Sequence, residues 1–376
     1  MAISLLLIVA SMLVIWRASD GFETASEYLG KNLSDGVRGA TINAIGSSMP
    51  ELFTTFIGLI WLKEADAFAF GVGTTAGSAI FNSMVIPAVV IIAVIMYKVT
   101  TSVELSRKVI LRDGLSLLIA EAILIVLISG DTLSWWHGLI LMLTYGAYVV
   151  FMFSTMSKSD DETDGNEMDD DDDDDDDENS SIFKSIITLD LEAAIIRTQQ
   201  NKMNSWVLLI ISMLIIGLAC AFLVTSCEKL AEGMGLAPYF IAVVLASAAT
   251  SVPDTIISVK DAFNGEYDDA VANALGSNIF DVCFALGLPL FIYTLCYGQI
   301  SMDPETVKHI AELRGVLFVL TLVTFLIFVS NKSLKTIHAI LLISLYLIFT
   351  FYVVSRAYEF EWAEGIATFF HQLLIR

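Results

Sequence analysis

Two short stretches of this chain carry the same unusual combination of groups. The first is Gly46-Ser47-Ser48-Met49-Pro50-Glu51, followed by Gly77-Ser78-Ala79-Ile80-Phe81-Asn82. The second is Ala249-Thr250-Ser251-Val252-Pro253-Asp254, followed by Gly276-Ser277-Asn278-Ile279-Phe280-Asp281. Each reads as a small residue, two hydroxyls, an apolar residue, proline and an acid, then Gly-Ser-x-Ile-Phe ending in Asn or Asp. From the proline to the final amide or acid the gap is 32 residues in one copy and 28 in the other. Ser47 lies four residues before Glu51, and Thr250 four before Asp254, so each pair shares a helix face. Ser78 with Asn82, and Ser277 with Asp281, repeat that spacing. Pro50 has no N–H to offer the Gly46 carbonyl, and Pro253 none for that of Ala249. The groups collected in this way are carboxylate, hydroxyl, amide and carbonyl oxygens, without His or Cys. That set suits hard cations such as calcium and sodium, not zinc or copper.

Both acids sit in the middle of apolar spans, and neither motif segment holds a Lys or Arg to balance them. A carboxylate at the centre of a bilayer costs about 2.5–3.5 kcal/mol even on the mildest insertion scale. A bound cation is the natural partner. Two carboxylates neutralise one calcium ion, and the same oxygens, arranged in more than one subsite, can hold sodium instead. Two ions that compete for shared ligands expel one another, which is exchange by occupancy. Alternating access then follows from rocking part of one repeat against the rest.

The elements that must position these groups are membrane helices. Apolar residues make up 56% of the 376 positions and charged residues 16%, with six prolines, and the mean hydropathy is +0.73. That composition excludes an ordinary soluble enzyme. Apolar windows of the length needed to cross a bilayer predict ten spans, near 2–28, 33–62, 66–97, 109–130, 133–156, 204–230, 236–262, 267–297, 312–330 and 334–356. The fold class expected is an all-α polytopic membrane protein of ten transmembrane helices. Five spans, an odd number, separate the two copies of the motif, so the halves must be inverted five-helix repeats with interrupted helices, the architecture of secondary transporters. The expected organisation is a first half over 1–156, a loop over 157–203, a second half over 204–357 and an interfacial tail over 358–376. The first apolar run has no basic segment before it and no small-residue cleavage site after it, so it reads as the first membrane helix.

The net charge of −22 is concentrated in one place. Residues 160–178 hold 15 of the 42 acids, including an unbroken run from Asp169 to Asp177. Such a segment cannot bury a core and is expected to be disordered, a solvated cation attractor or spacer. It lacks the Gly turn and ligand spacing of an EF-hand. Placing it in the cytoplasm puts 14 of the 20 Lys and Arg residues on that side and 6 on the other, which predicts both termini outside. The membrane expected is a plasma or bacterial inner membrane. No basic patch points to nucleic acid, and Cys220, Cys227, Cys283 and Cys296 read as packed free thiols. His137, His309, His338 and His371 all fall near span ends or loops, which disfavours an intramembrane hydrolase. A duplicated motif within one chain likewise disfavours a channel, since channels build pores from symmetric oligomers. No enzymatic activity and no cofactor are expected.

At these motifs the chain resembles the cation/calcium exchanger superfamily, and within it is most similar to the potassium-dependent sodium/calcium exchangers. The resemblance rests on residues 46–58 (GSSMPELFTTFIG), 73–82 (GTTAGSAIFN), 250–258 (TSVPDTIIS) and 276–281 (GSNIFD), with weaker similarity over 111–152. It implies that the second, third, seventh and eighth helices form the ion sites. Glu51 and Asp254 are then the central calcium ligands. Ser47, Ser48, Ser78, Thr250, Ser251 and Ser277 add hydroxyl or backbone oxygens, and Asn82 and Asp281 sit opposite each other near the centre. Ala44 and Ser247 contribute backbone carbonyls at sodium subsites. An acid at position 281 goes with potassium dependence in that branch, so potassium is a candidate co-transported ion. Three carboxylates around one divalent ion are one too many, so a proton on Asp281 serves equally well. The alternative activity is accordingly calcium/proton exchange at the same site. The acidic loop departs from the resembled family in having no room for calcium-sensing domains.

Overall fold

A computed structural model describes residues 1–29, 44–62, 65–156, 190–196 and 200–374. The expected disordered loop over 157–189 and the start of the second expected span lie outside these residues. The described chain is almost entirely helical. In order it forms α1 (Ala2–Leu29), α2 (Ala44–Ser47), α3 (Met49–Leu62), α4 (Ala65–Met96), α5 (Arg107–Leu127) and α6 (Trp135–Met156). After the short α7 (Leu191–Ile195) come α8 (Lys202–Met234), α9 (Pro238–Ile241), α10 (Ser247–Thr250) and α11 (Val252–Phe263). The chain continues as α12 (Tyr267–Phe280), α13 (Leu286–Tyr297), α14 (Pro304–Ser330), α15 (Thr336–Ala357) and α16 (Glu361–Leu374). Two stretches, Ala242–Ala246 and Asp281–Ala285, are wound as π-helix and join α9 to α10 and α12 to α13.

Among the described residues, eight helical segments are long and apolar enough to cross a membrane. Two of the ten expected spans are not among these eight. The second is described only from Ala44, as α2 and the 14-residue α3 on either side of Ser48. α5 has the length but carries Arg107, Lys108, Arg112, Asp113 and Glu121. The span expected to begin at residue 312 begins at Pro304 instead. Asp303 caps it by accepting the N–H groups of Thr306 and Glu305, a favoured start with proline in the first turn. Those donors, the Thr306 N–H first, hold the Asp303 carboxyl below the usual carboxylate range. α8 likewise outruns its expected span, with Asn201 capping one end and left-handed Gly235 closing the other.

α4 is the central element. It packs against α3, α11, α12, α14, α15 and the Ala242–Ala246 turn. α1 and α8 form a separate pair along one side. Their seam is a stripe of small residues every seven positions: Ser4, Ser11, Ala18 and Ala25 on one helix, Ser205, Ser212, Ala219 and Ser226 on the other, all buried. In lipid no hydrophobic drive pushes helices together, so close backbone approach through small residues is what holds such a pair.

Two short ribbons were not expected in an all-α chain. β1 (Val103–Glu104) pairs antiparallel with β4 (Ser333–Leu334), and β2 (Thr132–Leu133) with β3 (Ile300–Ser301). Each links the loops at two helix ends and satisfies backbone groups that a loop would leave open. The tail forms the amphipathic α16, which buries Ala363 and Ala367 and exposes Trp362, Phe369 and Leu373. It is latched to the bundle by charge. Arg356 donates to both oxygens of Glu312 at 3.0 Å and to Glu364 of α16 at 2.6 Å, and Lys308 pairs with the same Glu364.

The four cysteines are free, with Cys220, Cys227 and Cys283 buried and Cys296 exposed. A membrane-permeant maleimide applied to the folded protein should therefore modify Cys296 alone. Mass mapping that finds the other three labelled at a comparable rate would contradict this packing.

Candidate functional site

The two motifs meet at the crossing of α3, α4, the α10–α11 segment and α12. In both copies the helix is interrupted on the second hydroxyl, at Ser48 and at Ser251, and each acid starts the helix that follows. Glu51, Asp254 and Asp281 are all 0% exposed, as are Ser78, Asn82 and Ser277. No Lys or Arg side chain hydrogen-bonds or pairs with these three acids among the described residues. The bonds recorded to them come from hydroxyls and one amide.

Ser78 is the hub. Its Oγ lies 3.1 Å from Glu51 Oε1, 3.0 Å from Asp281 Oδ2 and 2.8 Å from Ser251 Oγ. Asn82 Nδ2 donates to Asp254 Oδ2 at 2.8 Å and reaches Ser78 Oγ at 3.5 Å. Ser277 donates to Asp254 Oδ1 at 3.0 Å and touches Ser47 Oγ at 3.5 Å. Ser78 therefore serves Glu51 as Ser277 serves Asp254. The exchange of halves fails at one point. Asn82 donates to Asp254, but its counterpart Asp281 has no N–H to offer Glu51.

Four oxygens of the cluster, Ser48 Oγ, Glu51 Oε2, Asn82 Oδ1 and Asp281 Oδ1, are buried with no hydrogen-bond partner. A buried acceptor left open costs about 1–3 kcal/mol, and more when charged. A cation satisfies several such oxygens at once, and the donor set is the oxygen-only kind that calcium and sodium take. No three His, Cys, Asp or Glu side chains enclose a metal by themselves among the described residues. Hydroxyls and the amide stand between the carboxylates, so any ion here is shared by mixed ligands. One hydroxyl cannot donate to Glu51, Ser251 and Asp281 together, so Ser78 satisfies one of the three at a time.

Of the other residues expected here, Thr250 gives its hydroxyl to the Ser247 carbonyl at 3.1 Å. Ser247 gives its own to the Val243 carbonyl at 2.6 Å, and its carbonyl also accepts the Ser251 N–H at 3.1 Å. Ser247 is thus turned back on its helix and not aimed at the cluster. Ala44 opens α2 one turn before Ser48.

Asn278, Ser83 and Glu121 are polar groups in the same region that motif reading passed over. Asn278 lies inside the quoted motif and donates to the Ala79 carbonyl at 3.0 Å and to Ser83 at 2.8 Å. Glu121 is an acid within an apolar span, the same signal that marks Glu51. A cleft of about 310 Å3 lined by Arg17, Asp20, Glu23 and Lys260 among others is separate from the cluster.

Residues 3–154 and 204–355 match the family described as "Sodium/calcium exchanger protein". The chain is 41% identical over 121 residues to Sodium/potassium/calcium exchanger 3 of Mus musculus, a match covering 32% of this chain and 17% of the relative. It is 26% identical over 339 residues to Sodium/potassium/calcium exchanger 5 of Homo sapiens, covering 72% of this chain and 65% of the relative. The matched part thus spans less than a fifth of the first relative. Among solved structures the fold is shared with the H+/Ca2+ exchanger CAX, at a TM-score of 0.70 and 14% identity over 98% of this chain and 86% of that one. It is also shared with the sodium-calcium exchanger NCX_Mj, at a TM-score of 0.55 and 21% identity over 93% of this chain and 98% of the other. With that fold, its membrane-length helices and two matched blocks covering most of its length, this integral membrane protein belongs to the sodium/calcium exchanger protein family.

Proposed function

We propose that the protein is a secondary antiporter that exchanges sodium for calcium at the Glu51–Asp254 cluster, with potassium as a candidate co-transported ion. The observation that carries this is the set of four buried, partnerless oxygens drawn from both motifs, beside three carboxylates that no basic side chain compensates. An ion is what balances such a cluster in a low-dielectric interior. The relatives named for sodium, potassium and calcium support the choice of ions.

The reading includes ten membrane helices in two inverted halves, 1–156 and 204–357, joined by an acidic cytoplasmic loop over 157–203, with both termini outside. The ribbons support the inversion. Exchanging the halves carries the loop after α4 onto the loop after α13, and the loop after α14 onto the loop after α5. The β1–β4 pair then becomes the β3–β2 pair. α1 and α8, the first helices of the two halves, likewise pack on each other.

The decisive assay is calcium uptake into vesicles driven by an outward sodium gradient, with and without potassium, against a choline control. Uptake that ignores sodium and follows a pH gradient would replace this reading by calcium/proton exchange. The surplus acid favours that second reading, because Glu51, Asp254 and Asp281 together exceed the charge of one calcium ion. Asp281→Asn is therefore expected to remove the dependence of calcium uptake on potassium or on protons, whichever wild type shows, and to leave sodium drive in place. An unchanged dependence on both ions would make Asp281 a structural group.

A further inference from the structure

Among the described residues six acids are buried: Glu51, Asp113, Glu121, Asp254, Asp281 and Glu312. Three form the cluster. Asp113 and Glu312 are paired with Arg112 and Arg356. Glu121, in the middle of α5 and 1% exposed, has no basic partner. Its Oε1 accepts a 2.7 Å bond from Thr321 of α14, and its Oε2 is buried with no donor. Arg314 lies on the facing helix, where its Nη1 donates to the Ile125 carbonyl at 2.8 Å and its Nε to that of Ile310 at 3.1 Å, its Nη2 being buried with no partner and not bonded to Glu121.

Thr321 also borders a void of about 10 Å3 shared with Ser83, Thr324, Phe325 and Phe328. That is room for one water, which needs two to four polar partners. The void has three hydroxyls on its walls, and Thr324 Oγ1 is buried with no partner of its own. Ser83, on the far wall, accepts from Asn278 and follows Asn82 in the chain. α5, which carries Glu121, also packs against the Asp281–Ala285 turn. A buried acid, a hydroxyl bonded to it, a water-sized and mostly hydrocarbon-walled void, and Ser83 beside the ion cluster therefore follow one another across the bundle.

We propose that Glu121 is a second intramembrane binding site, for a proton, whose occupancy is coupled to that of the ion cluster. A single carboxylate with a hydroxyl partner and a mostly hydrocarbon-walled void accommodates one proton and is too poor in oxygens for a metal ion. A proton taken up from solvent binds at Oε2, the oxygen that has no donor, and converts the carboxylate to a neutral carboxyl while Thr321 keeps its bond to Oε1. Release is the reverse. The coupling is electrostatic and rests on the proposed reading of the cluster. Adding a divalent cation there lowers the cost of a negative charge at Glu121, so calcium favours release of the proton. The other titratable groups on the elements packed against α5 are Arg314 on α14, Tyr145 and Tyr148 on α6, Asp268 and Asp269 on α12, and Cys283 and Asp281 on the π-turn. Arg112 and Asp113 lie on α5 itself.

Infrared difference spectra of the full-length protein in lipid test this directly. The protonated-carboxyl band is expected to fall when calcium is added, and one component of it to be missing in Glu121→Gln. That variant's calcium exchange in proteoliposomes should lose a one-proton step of the wild-type pH profile. Thr321→Val keeps the acid but removes its donor, and should shift the band, so the test survives if Glu121→Gln fails to fold. In Glu51→Gln the Glu121 band should persist yet no longer respond to calcium. A band that calcium still moves there would break the coupling to the cluster, not the proton site. Superimposable pH profiles for wild type and Glu121→Gln, or a spectrum that neither variant alters, would reduce Glu121 to a structural hydrogen bond.

Discussion

Glu51→Gln and Asp254→Asn are each expected to abolish calcium exchange while leaving the protein folded and inserted. Both substitutions keep the shape of the side chain, and the amide oxygen can still accept the bonds that Ser78 and Ser277 now give. What is lost is one negative charge from a site with no basic residue and no water-facing surface. Removing one partner of a buried charge pair costs roughly 3–5 kcal/mol. Applied to a bound calcium ion, that weakens binding by roughly a hundredfold to several thousandfold. The asymmetry of the cluster adds a finer expectation. Asp254 accepts on both oxygens, from Ser277 and Asn82, whereas Glu51 Oε2 has no donor facing it. The NH2 of an asparagine at 254 must face one of those donors and that of a glutamine at 51 need not, so Glu51→Gln should be the better-folded of the two. Radiolabelled calcium uptake in proteoliposomes, read beside thermal unfolding of the same preparations, checks both points. Wild-type uptake by either variant would remove the cluster as the transport site.

Gly77→Ala is the second substitution with a large expected effect, through backbone and not through charge. A Cβ at residue 77 would lie 2.4 Å from the Val243 carbonyl oxygen and 2.8 Å from Ser247 Cβ. The carbonyl is main chain, so it cannot swing aside as the end of a long side chain would. Gly77 precedes Ser78, and Val243 sits in the π-turn leading to Thr250–Asp254. Forcing α4 away from that turn pulls Ser78 from Ser251, the 2.8 Å contact between the two copies of the motif. Overpacking of this kind costs about 1–3 kcal/mol, and loss of exchange should exceed what that destabilisation explains. Gly146→Ala is the control. It lies inside α6 with nothing within 4 Å of the added carbon, so a helix-favouring change there should be neutral or slightly stabilising. Equal behaviour of the two variants would mean that the close crossing does not position the site.

Much of the site was legible in the sequence because its signals are chemical and local. An acid in an apolar run, a proline four residues after a carbonyl and a hydroxyl four residues before the acid can all be seen without coordinates, and the structure brings Glu51, Ser78, Asn82, Ser251, Asp254, Ser277 and Asp281 together. The two interruptions fall at Ser48 and Ser251, where the prolines place them. Three things were not legible. The π-turns at Ala242–Ala246 and Asp281–Ala285 depend on the register between packed helices, which no single helix records. Pro289 does lie four residues beyond Ala285, where a freed carbonyl loosens the preceding turn. The ribbons are two residues per strand, too short for any alternation to mark. Ser247 was expected to offer its carbonyl, and the bonds that carbonyl takes from both Thr250 and Ser251 are visible only once the backbone is placed. Glu121 was legible and passed over. It satisfies the same rule as Glu51 but lacks a second copy to draw attention to it.

The α1–α8 pair has a consequence for the lipid around it. At 1.5 Å per residue the 28 residues of α1 and the 33 of α8 make rods of about 42 and 50 Å, against a hydrocarbon core of about 30 Å. Small residues bind the two rods side by side, so they lean together or stand proud of the bilayer together. Mismatch of this sort costs fractions of a kcal/mol per ångström, and over an excess of more than 10 Å it becomes comparable with the free-energy gap between two transport conformations. Bilayer thickness thereby becomes a thermodynamic variable of exchange. Turnover should change steadily as the acyl chains of the vesicle lipid are lengthened, and flat turnover across the series would show that the pair does not tilt as transport proceeds.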